Sequence, residues 1–403
     1  MSSRLDFELA RLGASALVVL GADGSEPDLA SFVGGARLGE TVVIAPRGGG
    51  PRLAYMTEME RSEAAATGLT LVSPATLGLA SIARRGLRGG ARLAAILGAA
   101  LDASGVTPGR LALGGSWAAG EVAEACARLG EAGWSVVSAV GALRRARKEK
   151  SAVELASLRR TAAATCDLFR GIARRLASAE TRDGLLYAEG EPLTVGRLRR
   201  ELAVAVAEAG LSQPRPAILA PGEEGGVPHA AGSPERPLRG GESLVVDLFP
   251  RGRLFADCTR TFCVGEPPEH LARAHADVLA ALERAHRELR PGRRGWELQL
   301  VVCEVLAERG WPTPVDSSGS ERGYVHGLGH GVGYELHELP SFGESAEPED
   351  GMIEVGDVLT LEPGLYEPGA GGFGVRLEDL VAVGPAAGEN LTPLPYELDP
   401  RAW

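Results

Sequence analysis

The sequence predicts an α+β protein in two parts, an α/β layer domain over residues 1–148 and a larger domain over residues 149–403. Three observations carry that reading. The first third alternates short apolar runs with helical patterns, as helices layered on a sheet do. A dense charge run at 144–150 is then followed by a long amphipathic helix, which places the boundary. Finally, 403 residues, 44% hydrophobic and 24% charged with mean hydropathy near zero, exceed one average domain and have a globular composition.

Candidate strands in the first part are 16–20, 41–45, 52–55, 69–72, 110–113 and 135–140, with helical patterns between several of them, such as 120–129. The Gly48-Gly49-Gly50-Pro51 stretch reads as a tight turn between two strands; no Gly-Lys-Ser/Thr follows to make it a phosphate loop. The run RRARKEK at 144–150 reads as a solvated linker or first helical turn. It contains Lys148 and Lys150, the chain's only lysines among 42 basic residues, a bias that reads as genome composition. In the helix over 151–177, Leu155, Leu158, Ala162, Thr165, Phe169, Ile172 and Leu176 share one face. A second helix at 194–209 and strands follow. The same order returns with helices at 269–289 and 295–309, the former with Leu271, His275, Val278, Leu282, Ala285 and Leu289 on its apolar side. A repeated helix–helix–sheet plan suggests two halves about a pseudo-twofold, with any site between them.

Charge and cysteine content exclude several functions. Forty-two basic against 53 acidic residues leave −11, which argues against nucleic-acid binding. No apolar run is long enough for a bilayer span. Five cysteines, an odd number without C-x-x-C spacing, do not make a disulfide framework or a four-cysteine zinc site. The N-terminal MSSRLDFELARLG lacks a secretory apolar core, so a cytoplasmic location is expected.

Three segments carry chemistry. In 241–265, an apolar strand ends at Asp247, a turn follows at 251–253, and a return strand spans 254–264. With Gly252 as midpoint, Asp247 faces Asp257, and facing residues place their Cβ atoms about 4.5–5.5 Å apart. Two carboxylates that close share a proton or a cation; alternatively, one Asp caps a turn and the other pairs with Arg260. In 323–340, His326, His330 and His337 fall within twelve residues among glycines 327, 329, 331 and 333, which allow close backbone approach. His270, His275 and His286 lie on or beside a charged helix and read as surface or core residues. In 357–381, one apolar strand delivers Glu362 into Pro363-Gly364, and another delivers Arg376 and Glu378. Acids in such strands need a partner or a metal. Four carboxylates and an imidazole can hold two divalent cations roughly 3.5–4 Å apart.

These residues resemble the M24 metallopeptidases of pita-bread fold, in particular the Xaa-Pro peptidases (aminopeptidase P and prolidase). The resemblance rests on D-x-T-R-T-F at 257–262, G-H-G-V-G at 329–333, H-E-L-P at 337–340, E-P-G at 362–364 and R-L-E-D at 376–379, which are specific jointly rather than singly. It covers about 150–403; the first third is compatible with the family's smaller, creatinase-type N-terminal domain. One departure is Phe249-Pro250, where the family usually has a Gly soon after the first Asp, and the loop to the second Asp is a residue shorter.

The resemblance implies five metal ligands, Asp247, Asp257, His330, Glu362 and Glu378. Asp257 and Glu378 bridge two cations, Asp247 completes one, and His330 with Glu362 completes the other. A shared water of lowered pKa then supplies the hydroxide that attacks the scissile carbonyl. Glu362 is also the proton shuttle, His229 and His337 contact substrate and stabilise the tetrahedral intermediate, His326 is a pocket histidine, and Arg376 orients the carboxylates. The implied cations are Mn²⁺ first, with Co²⁺, Fe²⁺ or Zn²⁺ compatible. The implied substrates are dipeptides or short peptides with proline second, and the implied assembly is a homodimer.

Two other readings differ in class. A non-Xaa-Pro M24 aminopeptidase is disfavoured because methionine aminopeptidases normally lack so large an N-terminal domain and creatinase-type relatives lack the full ligand set. A catalytically silent binding module on the same fold would have lost ligands, and all five are present. There is no H-E-x-x-H, since Leu339-Pro340-Ser341 follows His337-Glu338, and no G-x-S-x-G elbow.

Overall fold

The computed structural model describes residues 2–317 and 319–403, which form two compact units, one through Arg147 and one from Lys148 to Trp403. In the first, all six expected strands join one mixed sheet. Their order is Thr70–Val72, Arg52–Tyr55, Thr41–Pro46, Ala16–Gly21, Arg110–Ser116 and Ser135–Ser138. The central Ala16–Gly21 strand pairs antiparallel with Thr41–Pro46 and parallel with Arg110–Ser116. It is buried throughout because its two faces feed two cores, Ala16, Val18 and Leu20 into one, Leu17 and Val19 into the other. Burial on both faces is why the strand reads as a continuous apolar run. Gly48, at φ 74°, makes the expected turn.

In the second unit, the Ala152–Ala177 helix starts at a capping box, in which Ser151 accepts from the Glu154 amide and Glu154 accepts from the Ser151 amide. Six of the seven residues expected on its inner face are buried; Leu155 is partly exposed. With the Val195–Glu208 helix and the antiparallel sheet Ile218–Pro221, Leu244–Leu248 and Cys258–Phe262, it builds one core. The helices Glu269–Glu288 and Gly295–Ala307 build a second core against strands that include Val358–Leu361, Phe373–Arg376 and Asp379–Val383. The helix–helix–strand order therefore recurs, each copy with its own core. Backbone from the two meets at the antiparallel bridge between Thr259 and Glu378. Among the described residues no helix is long and apolar enough to cross a membrane.

The charge run at 144–150 is not a solvated linker. Only Arg144 and Glu149 in it are exposed, and the Val140–Lys148 helix covers most of it. Arg147 pairs with Asp28, Lys148 with Glu354 and Asp357, and Lys150 with Glu338. The acids that neutralise these three groups lie 119 to 209 positions away in the chain. Local charge density carries no trace of such partners.

Candidate metal centre

Asp247 lies in the buried Leu244–Leu248 strand, with Ile218 opposite on one side and Thr259 on the other. The expected facing pair of Asp247 and Asp257 does not form. The turn is wider than a simple hairpin: Arg251 bridges both Ser212 and Phe255, and the ladder begins only at Cys258. Asp257 consequently sits just before the strand, two residues from the position opposite Asp247. A shift of two keeps both carboxylates on one face, as diagonal neighbours. Arg260 takes neither of them; it pairs with Asp379, Nη2 to Oδ1 2.8 Å.

His330 occupies a two-residue strand between Glu338–Ser341 and Val358–Leu361. Its Nδ1–H donates to its neighbour's carbonyl, that of Gly331, at 3.0 Å. That leaves the Nε2 lone pair directed at acids, 3.6 Å from Asp257 Oδ2 and 3.4 Å from Glu362 Oε1. A Cβ at Gly331 would overlap the Leu339 carbonyl, so glycine is required there, whereas Gly327 faces open space. The His337 ring lies 4.1 Å from that of His330, centroid to centroid. His326 has both nitrogens engaged: Nδ1–H donates to the Gly327 carbonyl at 2.8 Å, and Nε2 accepts from the Tyr366 hydroxyl at 2.9 Å.

Glu362 directly follows the Val358–Leu361 strand, and Glu378 directly precedes the Asp379–Val383 strand. The Glu362 amide donates to the Leu328 carbonyl at 2.8 Å, and its Oε1 accepts from the Thr360 hydroxyl at 3.2 Å. The Glu378 amide donates to the Thr259 carbonyl at 3.0 Å, and its Oε2 accepts from the Thr259 hydroxyl at 2.7 Å. Arg376 is the hub of the set. Its guanidinium donates to Asp247 Oδ2 at 2.6 Å, Thr259 Oγ1 at 3.1 Å, the Tyr366 hydroxyl at 2.8 Å and the Pro228 carbonyl at 3.3 Å.

Burial and mutual repulsion dominate the electrostatics. Burial, then the charges of Glu378, Asp247 and Glu362, push Asp257 well above the usual carboxylate range. Burial, then Glu362 and Asp247, do the same to Glu378. Glu362 is pushed up to about 8, by burial first, with Arg376 opposing. Burial lowers His330 to about 3 and His326 to about 4, assisted by His337 and Arg376 respectively, and burial also lowers His337. All three imidazoles are therefore neutral near pH 7, with lone pairs able to coordinate or accept.

This donor set fits a divalent cation. One donor atom each from Asp257, His330 and Glu378 lies within 4.8 Å of the others. Asp247 and Glu362 stand beside that trio, and Asp247 Oδ1 is buried without a hydrogen-bond partner. Carboxylates held this close are costly unless protonated or bound to a cation, and hard oxygen donors with one imidazole suit a divalent metal.

All nine residues singled out in the sequence line one cavity of about 320 Å³: Asp247, Asp257, His330, Glu362 and Glu378, with His229, His326, His337 and Arg376. His229 reaches it from an exposed rim. Phe249, the departure noted above, forms apolar wall with Ile218, Pro228 and Leu336. The sequence reading did not single out Thr259, Thr360 or Tyr366. The two threonines could have been found as polar residues two positions from a ligand acid on a buried strand, hence on its face; Tyr366 carries no such signal.

Comparison with known proteins agrees with this geometry. Residues 156–385, more than half of the chain, match metallopeptidase family M24. The Xaa-Pro dipeptidase of Pyrococcus furiosus is 33% identical over 230 residues, 55% of this chain and 61% of that protein. The chain thus spans about three-fifths of the length of the relatives it matches in sequence. The prolidase of Pyrococcus horikoshii superposes with a TM-score of 0.72 at 20% identity, covering 98% of this chain and 99% of that one. The X-Pro aminopeptidase of Thermotoga maritima gives 0.74 at 20% identity, covering 99% of both. The fold is accordingly the expected α+β pita-bread fold, and the chain belongs to metallopeptidase family M24.

Proposed function

We propose that the chain is a divalent-metal-dependent exopeptidase that hydrolyses the bond before a proline in second position, in dipeptides or short peptides. The observation that carries this is the convergence of Asp247, Asp257, His330, Glu362 and Glu378 on one cavity, beside three further histidines and Arg376. Its volume of about 320 Å³ falls at the low end of small-molecule sites, which run roughly 300–1,000 Å³, and suits a short peptide.

In this reading Asp247, Asp257, His330, Glu362 and Glu378 would hold two divalent cations; Mn²⁺ suits the set, with Co²⁺, Fe²⁺ or Zn²⁺ compatible. Bound cations supply Lewis acidity and a water that ionises at a pH of roughly 7. The remaining work belongs to the chain. Glu362 takes and returns a proton during turnover. Neutral His337, with His229 at the rim, contacts the peptide around its carbonyl oxygen. His326, fixed at both nitrogens, acts as wall rather than proton carrier. Arg376 holds Asp247 in orientation, and Ile218, Phe249 and Leu336 offer apolar contact to a proline ring. The enzyme acts in the cytoplasm as a homodimer.

The test compares an Xaa-Pro dipeptide with an Xaa-Pro-Xaa tripeptide, with and without Mn²⁺, in wild type and Asp257→Ala. Metal-dependent cleavage lost in the variant supports the reading, and the preferred length fixes the subclass. Cleavage of neither peptide by metal-loaded wild type overturns it.

A further inference from the structure

Two lysines occur in the entire chain, and neither side chain reaches solvent. Lysine is almost never buried unless paired, and removing an ammonium from water costs several kcal/mol before any partner is counted. Both lie at the start of the second unit, and both reach acids on the segments flanking His330. Lys148 Nζ lies 2.8 Å from Glu354 Oε2 and donates to the Met352 carbonyl, ahead of the Val358–Leu361 strand. Lys150 Nζ lies 3.0 Å from Glu338 Oε2 and 3.3 Å from the Lys148 carbonyl.

Glu338 follows His337 directly and opens the strand that pairs with His330–Gly331. Its other oxygen accepts from the Glu335 amide at 3.1 Å, while the Gly333 amide donates to the Glu335 carbonyl at 3.0 Å. A Cβ at Gly333 would collide with the Glu338 carboxylate and the Lys150 stem, so the ion pair packs directly against this backbone. The Gly333 carbonyl in turn accepts from the Phe255 amide at 2.9 Å, two residues before Asp257. The Lys150–Glu338 pair thus closes, from the inside, the bend that connects His330 to His337.

We propose that Lys150 is a positioning residue of the centre: its buried ion pair with Glu338 fixes the Gly333–Glu338 bend and so holds the His337 ring against His330. The assignment rests on reading the centre as that of a metallopeptidase. A charged pair has a directional requirement that apolar filling would lack.

The experiment uses the full chain as wild type, Lys150→Met, Glu338→Gln and the double variant. Four quantities are read: thermal midpoint, the visible absorption of Co²⁺-loaded protein, which reports the surroundings of His330, and kcat and KM on an Xaa-Pro dipeptide. Lys150→Met leaves the Glu338 carboxylate without its ammonium and lowers the midpoint. The double variant removes both charges and regains stability, yet kcat stays on the order of 10–100-fold below wild type, the usual cost of losing support around metal ligands. KM stays close to that of wild type, and the Co²⁺ spectrum is altered. Wild-type kcat and spectrum in the restabilised double variant would overturn the proposal, because the pair would then serve the fold alone. If the methionine variants do not fold, Glu338→Gln carries the same spectral and kinetic comparison. Should wild type cleave no Xaa-Pro peptide, the proposed function falls, and the Co²⁺ spectra still decide: a changed spectrum supports positioning and an unchanged one refutes it.

Discussion

Replacing Asp379 by Asn leaves one of the chain's most enclosed charges without its counter-ion. The Arg260 side chain is fully buried, and its guanidinium lies 2.8 Å from Asp379 Oδ1. It also donates to the carbonyls of Pro395 at 2.9 Å, Thr259 at 2.9 Å and Glu378 at 2.6 Å. Asp379 Oδ2 accepts from His286 Nε2 at 2.8 Å and from the Tyr396 hydroxyl at 2.6 Å. Removing one member of such a pair costs about 3–5 kcal/mol. For a unit of this size, 1 kcal/mol corresponds to roughly 2–4 °C, so Asp379→Asn should melt about 6–20 °C below wild type. Burial pushes Asp379 up, but Arg260 and His286 together hold it below the ordinary 3.8. Its stabilisation is therefore full above about pH 3.8 and lost as pH falls through the lower folded value, so the difference between variant and wild type shrinks on strong acidification. Neutralising both partners, as Arg260→Met with Asp379→Leu, should recover only part of the loss, because the carbonyls facing Arg260 lose their donor. The assay is urea unfolding and thermal melting of metal-free protein at pH 7 and at a pH below about 3. A loss below about 1 kcal/mol at pH 7, the value of an exposed pair, would refute the reasoning.

Proton linkage at the centre gives a second expectation. Because Glu362 is raised to about 8, and Asp257 and Glu378 are raised too, Mn²⁺ loading at pH 7 should release about one proton or more per chain, seen as a buffer-dependent heat in titration calorimetry. No dependence on buffer ionisation enthalpy would contradict those directions. The same shifts give the sign for metal-free stability: Glu362's contribution is full below about pH 4.5 and lost as pH rises through about 8, so metal-free protein should melt lower at pH 8.5 than at pH 6. Thr259→Val removes the hydroxyl that donates to Glu378 and accepts from Arg376. It should destabilise by about 1–3 kcal/mol and weaken Mn²⁺ binding on the order of tenfold; equilibrium dialysis showing unchanged affinity would count against it.

Much of this was legible in the sequence, for identifiable reasons. The six strands of the first unit are visible because each is a short apolar run set off by turns or helices. Asp247, Glu362 and Glu378 are visible because an acid at the end of an apolar strand contradicts its surroundings. The register between Asp247 and Asp257 was not legible, since the extra bridge of Arg251 with Phe255 depends on Ser212, far off in sequence. Nor was the role of Lys148 and Lys150, whose acids lie near the other end of the chain and look, locally, like ordinary surface charge.

The five donors come from both halves of the second unit. Asp247 and Asp257 adjoin strands of one core, while His330, Glu362 and Glu378 adjoin strands of the other. Neither half, folded alone, owns a complete set of donors. A cation that needs donors from both binds well only after the halves have docked, so it acts late in folding as a rivet rather than early as a template. Once in place, it makes separation of the halves pay the full binding free energy. Slow exchange of the Glu378 amide, which donates to the Thr259 carbonyl across the two sets of donors, would then track metal occupancy.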